Sequence, residues 1–246
     1  MTHRIAMWSG PRNISTAMMR AWENRPDCAV WDEPLYAAYL NDTGIDHPMR
    51  EEIIAHDDTD WRRVVQQCQH GAPDSCAVFY QKHMTHHMLP EYSLDWLADV
   101  SNCFLIRNPH AVLASYLKRR DQATLEDIGL PQQLRIFEHV CATTGSTPLV
   151  IDSTEFLQKP EQYLQAICLA LDLPFTDHML SWPAGPRESD GVWAPHWYDQ
   201  VWASTGFSSP TVTDKTPALP NNTTANALLD EAMSIFEQLH LQAICL

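Results

Sequence analysis

Basic residues are scarce in this chain of 246 residues, where 16 lysines and arginines face 31 aspartates and glutamates and leave a formal net charge of −15. Such a chain repels phosphate backbones and anionic lipid, so nucleic acid and membrane surfaces are not expected partners. Any anion that it binds needs a local basic site. Long apolar runs are also missing: no stretch of about 18 apolar residues predicts a membrane span, and the first residues lack the apolar run of a signal peptide.

Cysteine pairs are the next absence. The seven cysteines are odd in number and form no Cys-x-x-Cys pair, which excludes a predicted disulfide framework or thiolate zinc cluster. Reduced thiols are typical of the cytoplasm, which is the predicted location.

Short apolar runs alternate with longer amphipathic ones, the pattern of a parallel sheet flanked by crossover helices. We therefore predict an α/β fold in a single domain over residues 1–246. Predicted strands are Ile5–Trp8, Ala29–Trp31, Ala77–Tyr80, Cys103–Ile106 and Leu149–Ile151. Predicted helices are Ile14–Asn24, Trp61–Gln69, Ala111–Arg120, Leu130–Thr143, Pro160–Leu171 and Ala225–Leu239. Residues 32–60 and the aromatic-rich residues 182–224 lack periodicity and are expected to be irregular, the second as a lid.

An apolar strand runs through a small turn into a helix over residues 5–22. Free backbone N–H groups and the positive dipole end at such a helix start bind anions. Arg12 adds a forked charge, and the pattern predicts a phosphate loop at Arg12, Asn13, Ser15 and Thr16. A plain capped helix is the alternative. The nucleotide-triphosphatase pattern G-x-x-x-x-G-K-[ST] is absent, which disfavours a kinase.

A second strand, turn and helix follow at residues 104–120. Arg107 ends the strand, and Ser115 lies one to two turns inside the helix. If both face one cleft, a guanidinium and a hydroxyl can hold a second phosphate beside the first. The alternatives are a helix-start ion pair for Arg107 and an ordinary small helix residue at Ser115.

Both loops resemble motifs of the sulfotransferases that use 3′-phosphoadenosine 5′-phosphosulfate (PAPS), and the chain resembles a small bacterial-type member. Residues 11–16 resemble the 5′-phosphosulfate loop P-[KR]-S-G-[ST]-T, with asparagine and isoleucine in place of the family's serine and glycine. Residues 107–116 resemble the 3′-phosphate motif R-[ND]-P-x-x-x-x-x-S, and residues 150–174 look like the strand, loop and helix that follow. The resemblance spans residues 5 to about 182 and implies a P-loop-type parallel sheet.

The resemblance also implies site roles. Arg12, Ser15 and Thr16 would hold the phosphosulfate side of PAPS, and Arg107 and Ser115 its 3′-phosphate. The basic loop that closes over this phosphate in cytosolic members has only two candidate residues here, Arg187 and Lys215.

Residues 81–90 contain three histidines and a lysine just after a predicted strand. Sulfuryl transfer to an alcohol needs a proton acceptor and a cation near the leaving phosphate, roles that suit histidine and lysine or arginine. Alignment with the family's K-T-H-L-P-x-x-L-L-P motif implies His83 as base, with Lys82 as electrostatic helper and His87 as substitute. Arg12 is the other catalytic candidate.

The same histidines have two further interpretations. On a helix, His83, His86 and His87 would share one face as zinc ligands. No H-E-x-x-H motif and no completing carboxylate support that, so no metal is predicted. A purely structural role stays open.

The sequence gives weaker evidence for the residues that bind the acceptor. Glu33 follows the second predicted strand, where open α/β sheets place ligand contacts, although a helix-start carboxylate is an equal alternative. Trp193 and Trp197 lie in an aromatic segment whose spacing favours core packing, with an aromatic wall for an amine-bearing or quaternary ammonium alcohol as the other interpretation.

Together these observations predict a sulfotransferase that moves a sulfuryl group from PAPS to a hydroxyl or amine of a small molecule by in-line transfer, with a histidine base and no metal. The alternatives are a P-loop kinase or NTPase and a nucleotide-binding protein of the same fold without catalysis. No pattern predicts the oligomeric state.

Overall fold

The computed structural model describes residues 2–71, 73, 76–118, 122–208, 219 and 223–246. Within these residues, five strands form one parallel sheet in the order β2-β3-β1-β4-β5. The strands are β1 His3–Ser9, β2 Cys28–Asp32, β3 Val78–Met84, β4 Ser101–Ile106 and β5 Leu149–Asp152. Each coincides with a predicted run, so the predicted α/β fold is confirmed. The third strand continues four residues past its predicted end at Tyr80.

Helices flank the sheet. They are α1 Ser15–Glu23, α2 Tyr36–Thr43, α3 Arg50–His56, α4 Trp61–His70, α5 Pro109–Tyr116, α6 Leu130–Thr144, α7 Ser153–Gln158, α8 Pro160–Ala170, α9 Ala194–Trp197, α10 Asp199–Trp202 and α11 Thr223–His240. Short 3₁₀ helices lie at Thr85–His87, Asp95–Asp99 and Asp177–Leu180.

Helix α5 shows how the sequence sets a boundary. The Asn108 side chain accepts a hydrogen bond from the His110 backbone N–H at 3.0 Å, and Pro109 occupies the first turn. Both features favour a helix start at this point. Asn13 does not cap α1, whose N-cap is Ile14.

The two faces of the sheet pack against different helices, because successive side chains of a strand point to opposite faces. Met7 and Tyr80 lie on the face that packs against α1, in a cluster with Trp22. Trp8 and Phe104 lie on the other face, in a cluster built with α4, α6 and α11.

Two expectations about irregular segments were wrong in part. Residues 32–60 contain α2 and α3, whose short apolar stripes are difficult to recognise in the sequence because acidic residues lie around them. Residues 182–224 contain α9 and α10, and Trp193 and Tyr198 are buried against Tyr36 of α2. That aromatic part of the predicted lid is core, and most of residues 209–222 lie outside the described residues.

The parallel arrangement places the site. The carboxyl ends of all five strands lie at one edge of the sheet, where ligands bind in open α/β folds. Because β1 is central, the loop after it lies between the residues that follow β3 and those that follow β4.

Candidate functional site

The turn after β1 has a defined backbone. Arg12 adopts a left-handed conformation with φ of 58°, whereas Ile14 has φ of −89°, which any residue adopts. Isoleucine at the position of the family's glycine therefore requires no strained backbone here. Gly10 permits a close approach, since a Cβ atom at this residue would lie 2.4 Å from the carbonyl oxygen of Ile128.

Asn13 connects this turn to the neighbouring strand by a hydrogen bond. Its Nδ2 donates to the carbonyl oxygen of Leu105 at 3.1 Å, and its Oδ1 accepts from the backbone N–H of Ile14 at 2.8 Å. The loop after β1 is thereby held against the end of β4.

Arg12, Arg107 and Ser115 meet at this edge. Arg107 donates from a terminal guanidinium nitrogen to the carbonyl oxygen of Arg12 at 2.5 Å, and Arg12 Nε donates to Ser115 Oγ at 2.9 Å. Burial lowers the pKa of Arg107, against the opposing effect of Asp152. The two predicted phosphate loops thus form one basic cluster, and a partly desolvated guanidinium gains from an anionic partner.

A cleft opens beside this cluster, lined by Gly10, Pro11, Asn13, Arg107, Val112, Ile128, Leu130 and Gln133. Gln133, buried in α6, donates from Nε2 to the carbonyl oxygens of Leu105 at 3.1 Å and Trp8 at 3.3 Å. It joins the ends of β1 and β4 beneath the cleft.

Ser15 and Thr16 begin α1 at the same turn. No side chain caps the first turn of this helix at Ile14, so its N-terminal N–H groups retain donor capacity. Such a helix start binds phosphate or sulfate readily. Both hydroxyl residues are buried there.

A buried ionic network lies at the ends of β2 and β3. Lys82 Nζ donates to Asp32 Oδ1 at 2.8 Å, to Glu33 Oε1 at 2.5 Å and to the Tyr198 hydroxyl oxygen at 2.8 Å. The Tyr198 hydroxyl in turn donates to Asp32 Oδ2 at 2.7 Å. Burial opposes the charge on Lys82, but Asp32 and Glu33 outweigh it and hold the lysine pKa well above its ordinary value.

His83 occupies the opposite face of β3. Its ring stacks on Trp8 with centroids 4.4 Å apart, lies 5.7 Å from the Trp96 ring, and is 1% exposed. Its Nε2 lies 3.2 Å from Gln81 Oε1, within hydrogen-bond distance. Burial, and then the charge of Lys82, lower its pKa to about 3.

His83 and Lys82, which we expected to act as base and electrostatic helper, lie on opposite faces of β3. Adjacent residues of a strand point to opposite faces, so the two side chains lie in different surroundings. Lys82 lies on the α1 face of the sheet, and His83 lies on the face that packs against α4, α6 and α11.

His86 and His87 leave the strand with the 3₁₀ helix. His87 is stacked between Tyr36 and Tyr39, with ring centroids 4.5 and 4.8 Å away, and its ring lies 4.4 Å from that of His86. Burial lowers the pKa of His87 well below its ordinary value, and that of His86 to about 3. Because His83 belongs to the strand, the three histidines do not share a helix face. In the described part of the chain, no group of three or more His, Cys, Asp or Glu side chains is arranged to hold a metal ion.

The remaining candidates lie apart from the cleft. Trp193 is buried edge-on against Tyr36 at 5.0 Å between centroids, and Trp197 lies 5.7 Å from the His47 ring. Arg187 donates to the carbonyl oxygen of Pro183 at 3.2 Å. Lys215 lies outside the described residues.

Comparison with known proteins agrees with this architecture. The family model for the sulfotransferase domain matches residues 3–243. The chain belongs to the sulfotransferase family. The sulfotransferase domain from the curacin biosynthetic pathway has a similar fold, with a TM-score of 0.57, 16% identity and 99% of each chain covered. A mouse sulfotransferase complexed with PAP is also similar, with a TM-score of 0.51, 14% identity and coverage of 98% of this chain and 90% of that one.

Two Arabidopsis thaliana relatives carry different names. The branched-chain-amino-acid aminotransferase-like proteins 2 and 1 are 37% and 39% identical to this sulfotransferase-family chain over 206 residues, which is 84% of the chain. The match covers only 36% and 37% of those proteins, so the chain spans about a third of their length. Their names describe those longer proteins.

Sequence reasoning missed three residues that build this edge of the sheet. Asp32 stands beside Glu33 directly after a predicted strand, a position that could have marked it. Tyr198 and Gln133 come from segments distant in sequence, and no local signal connects them to the strand ends.

The ionic network predicts a stability effect. Lys82→Met would leave Asp32 and Glu33 buried without their cation, so we expect a loss of about 3–5 kcal/mol in the free energy of unfolding, measured by urea denaturation. Lys118→Met, at an exposed position, serves as control and should change it by less than about 0.5 kcal/mol. Equal stability of both variants would contradict the assigned network.

The buried imidazole of His83 predicts an acid sensitivity. The pKa of His83 in the folded protein, about 3, lies below its ordinary value. As the pH drops, the imidazole is therefore protonated in the unfolded chain before it is protonated in the folded one. The free energy of unfolding consequently falls as pH drops from about 6 towards 4. His83→Phe should make that decline shallower by about 1 kcal/mol per pH unit. Urea denaturation at pH 4, 5, 6 and 7 measures the slope, and His70→Phe, at an exposed position, should leave it unchanged. An unaltered slope in the His83 variant would show that its ring is not buried in neutral form.

Proposed function

We propose that this protein transfers a sulfuryl group from PAPS to a hydroxyl or amine of a small molecule. The observation that carries the proposal is the joining of the two phosphate loops: Arg107 contacts the backbone of Arg12, and the side chain of Arg12 contacts Ser115. A donor with phosphate groups at its 3′ and 5′ positions matches two adjoining anion sites on one edge of a sheet.

The residues present fit such a donor. The first turn of α1, with Ser15 and Thr16, would bind the phosphosulfate group through N–H and hydroxyl donors, and Arg107 with Ser115 would bind the 3′-phosphate. Arg12 belongs to the first loop, contacts Arg107 and Ser115 of the second, and would stabilise the negative charge that grows on the departing phosphate. Positioning and electrostatic stabilisation carry most of the rate in this type of group transfer.

A kinase or NTPase is a weaker candidate. The loop after β1 has neither the second glycine nor the lysine that a nucleotide-triphosphatase loop requires around the β- and γ-phosphates. A nucleotide-binding protein without catalysis would share the donor site and differ only in turnover.

Donor binding distinguishes these functions. We expect Arg107→Ala to weaken binding of 3′-phosphoadenosine 5′-phosphate (PAP) about 10–100-fold, because one charge-assisted contact contributes roughly 1.5–3 kcal/mol. The same substitution should change the affinity for adenosine 5′-phosphate, which lacks the 3′-phosphate, only a little. Titration calorimetry measures both, and Arg62→Ala, an exposed arginine outside the cleft lining, is the matched control.

Equal losses for the two nucleotides would remove Arg107 from the 3′-phosphate site. Tighter binding of magnesium ATP than of PAP by the unaltered protein would favour the kinase alternative instead.

The acceptor is identified by transfer of label. Radiolabelled PAPS is incubated with the protein and a cell metabolite extract, and the compound that gains sulfate is isolated. Label on a small hydroxyl or amine compound supports the proposal, whereas PAP binding without transfer indicates a non-catalytic protein. The metal-free chemistry and the cytoplasmic location stay predictions.

A further inference from the structure

Glu33 is a half-buried acidic residue at this edge of the sheet, and only one oxygen of its carboxylate has a hydrogen-bond partner among the described residues. Its Oε1 accepts from Lys82 Nζ, while Oε2 has His87 Nδ1 as a polar neighbour 4.0 Å away, beyond hydrogen-bond distance. Within the described residues, that imidazole nitrogen is buried and has no hydrogen-bond partner. The glutamate side chain is 11% exposed, whereas those of Asp32 and Lys82 are 1% exposed. One carboxylate oxygen therefore retains capacity to accept a proton.

The position of Glu33 on the sheet matters as much as its contacts. Lys82 points to the α1 face of β3, together with Tyr80, and Glu33 is bound to the lysine at that face. Since β3 is the immediate neighbour of β1, the carboxylate lies one strand away from the strand that carries the phosphate loop. His83, on the other face, is enclosed by tryptophan rings.

The backbone at Glu33 is also unusual. Its φ of 45° places a non-glycine residue in the left-handed region, where strain is typical of functional sites. A hydrogen bond from its N–H to the carbonyl oxygen of Lys82 at 2.9 Å holds this conformation. The fold keeps the carboxylate in place at a conformational cost.

We infer that Glu33 is the general base of the transfer reaction, a role that rests on the proposed function. The acceptor oxygen or nitrogen forms a bond to sulfur while the bond from sulfur to the 5′-phosphate oxygen breaks. PAP leaves with that electron pair, and the acceptor proton passes to Glu33 Oε2. Lys82 and Asp32 are positioning residues that hold Oε1 and leave Oε2 for the proton.

The electrostatic surroundings suit a base. Burial raises the pKa of Glu33 and Asp32 adds to this, while Lys82 opposes both. Tyr198 and His87 are the other titratable groups that face the carboxylate. Because the base acts as carboxylate, activity should fall as pH drops through this raised pKa.

The test compares Glu33→Gln with the unaltered protein, using radiolabelled PAPS and the metabolite extract. Glutamine keeps the size of the side chain and an oxygen for Lys82 but cannot take a proton. We expect kcat to fall about 10²–10⁴-fold, PAP affinity to stay within about twofold, and the acid limb of the pH profile to disappear. Glu161→Gln, an exposed carboxylate of α8, should behave as the unaltered protein.

The outcomes separate the two proposals. No label transfer by the unaltered protein defeats the proposed function itself. If the unaltered protein is active, two results overturn the role of Glu33 as base. One is a Glu33→Gln variant with a similar rate, and the other is a slower variant whose activity falls at low pH as that of the unaltered protein does. Thermal unfolding and PAP binding of the Glu33→Gln variant show whether it is folded. A folded variant that binds PAP has lost activity for a reason other than misfolding.

Discussion

The register of β1 between β3 and β4 is the constraint on which the rest of this structure depends. Parallel pairing on both sides of β1 brings the phosphate loop, the end of β3 and Arg107 to one edge of the sheet. Asn13 then holds the loop to β4 through the carbonyl oxygen of Leu105, and Gln133 joins the ends of β1 and β4. Residues almost a hundred positions apart thereby form one basic cluster in a chain with a net charge of −15. The local site supplies the positive charge that the composition as a whole does not.

Alternation along β3 imposes a second division. Lys82 and His83 are neighbours in sequence, yet one belongs to an ionic network on the α1 face and the other to an aromatic cluster on the opposite face. The network connects the ends of two strands to Tyr198, so the aromatic segment is tied to the sheet by charge as well as by packing. A buried lysine between two carboxylates is costly to assemble and costly to disrupt, which makes it suitable for fixing the geometry of a site.

Much of the fold was predictable from local pattern. Each of the five strands contains a short apolar run, and the longer helices have clear amphipathic spacing. Helices α2 and α3 were missed because their buried positions are few and lie within an acidic, turn-rich stretch. Arg12 and Arg107 could be predicted as anion-site residues because the loop after a strand and the start of a helix create donors locally. The surroundings of His83 could not be recognised from the sequence, since its neighbours Trp8 and Trp96 are distant from it along the chain.

The sequence by itself determined the α/β class, the two strand–turn–helix segments around Arg12 and Arg107 and the family resemblance, because strand periodicity, turn residues and helix starts are encoded within a few neighbouring positions. Tertiary structure alone decided which side chains share a site. Strand order, register and the face to which each residue points arise from pairing between distant segments. Those pairings joined Arg12 to Arg107 and placed Lys82 beside Glu33, away from His83.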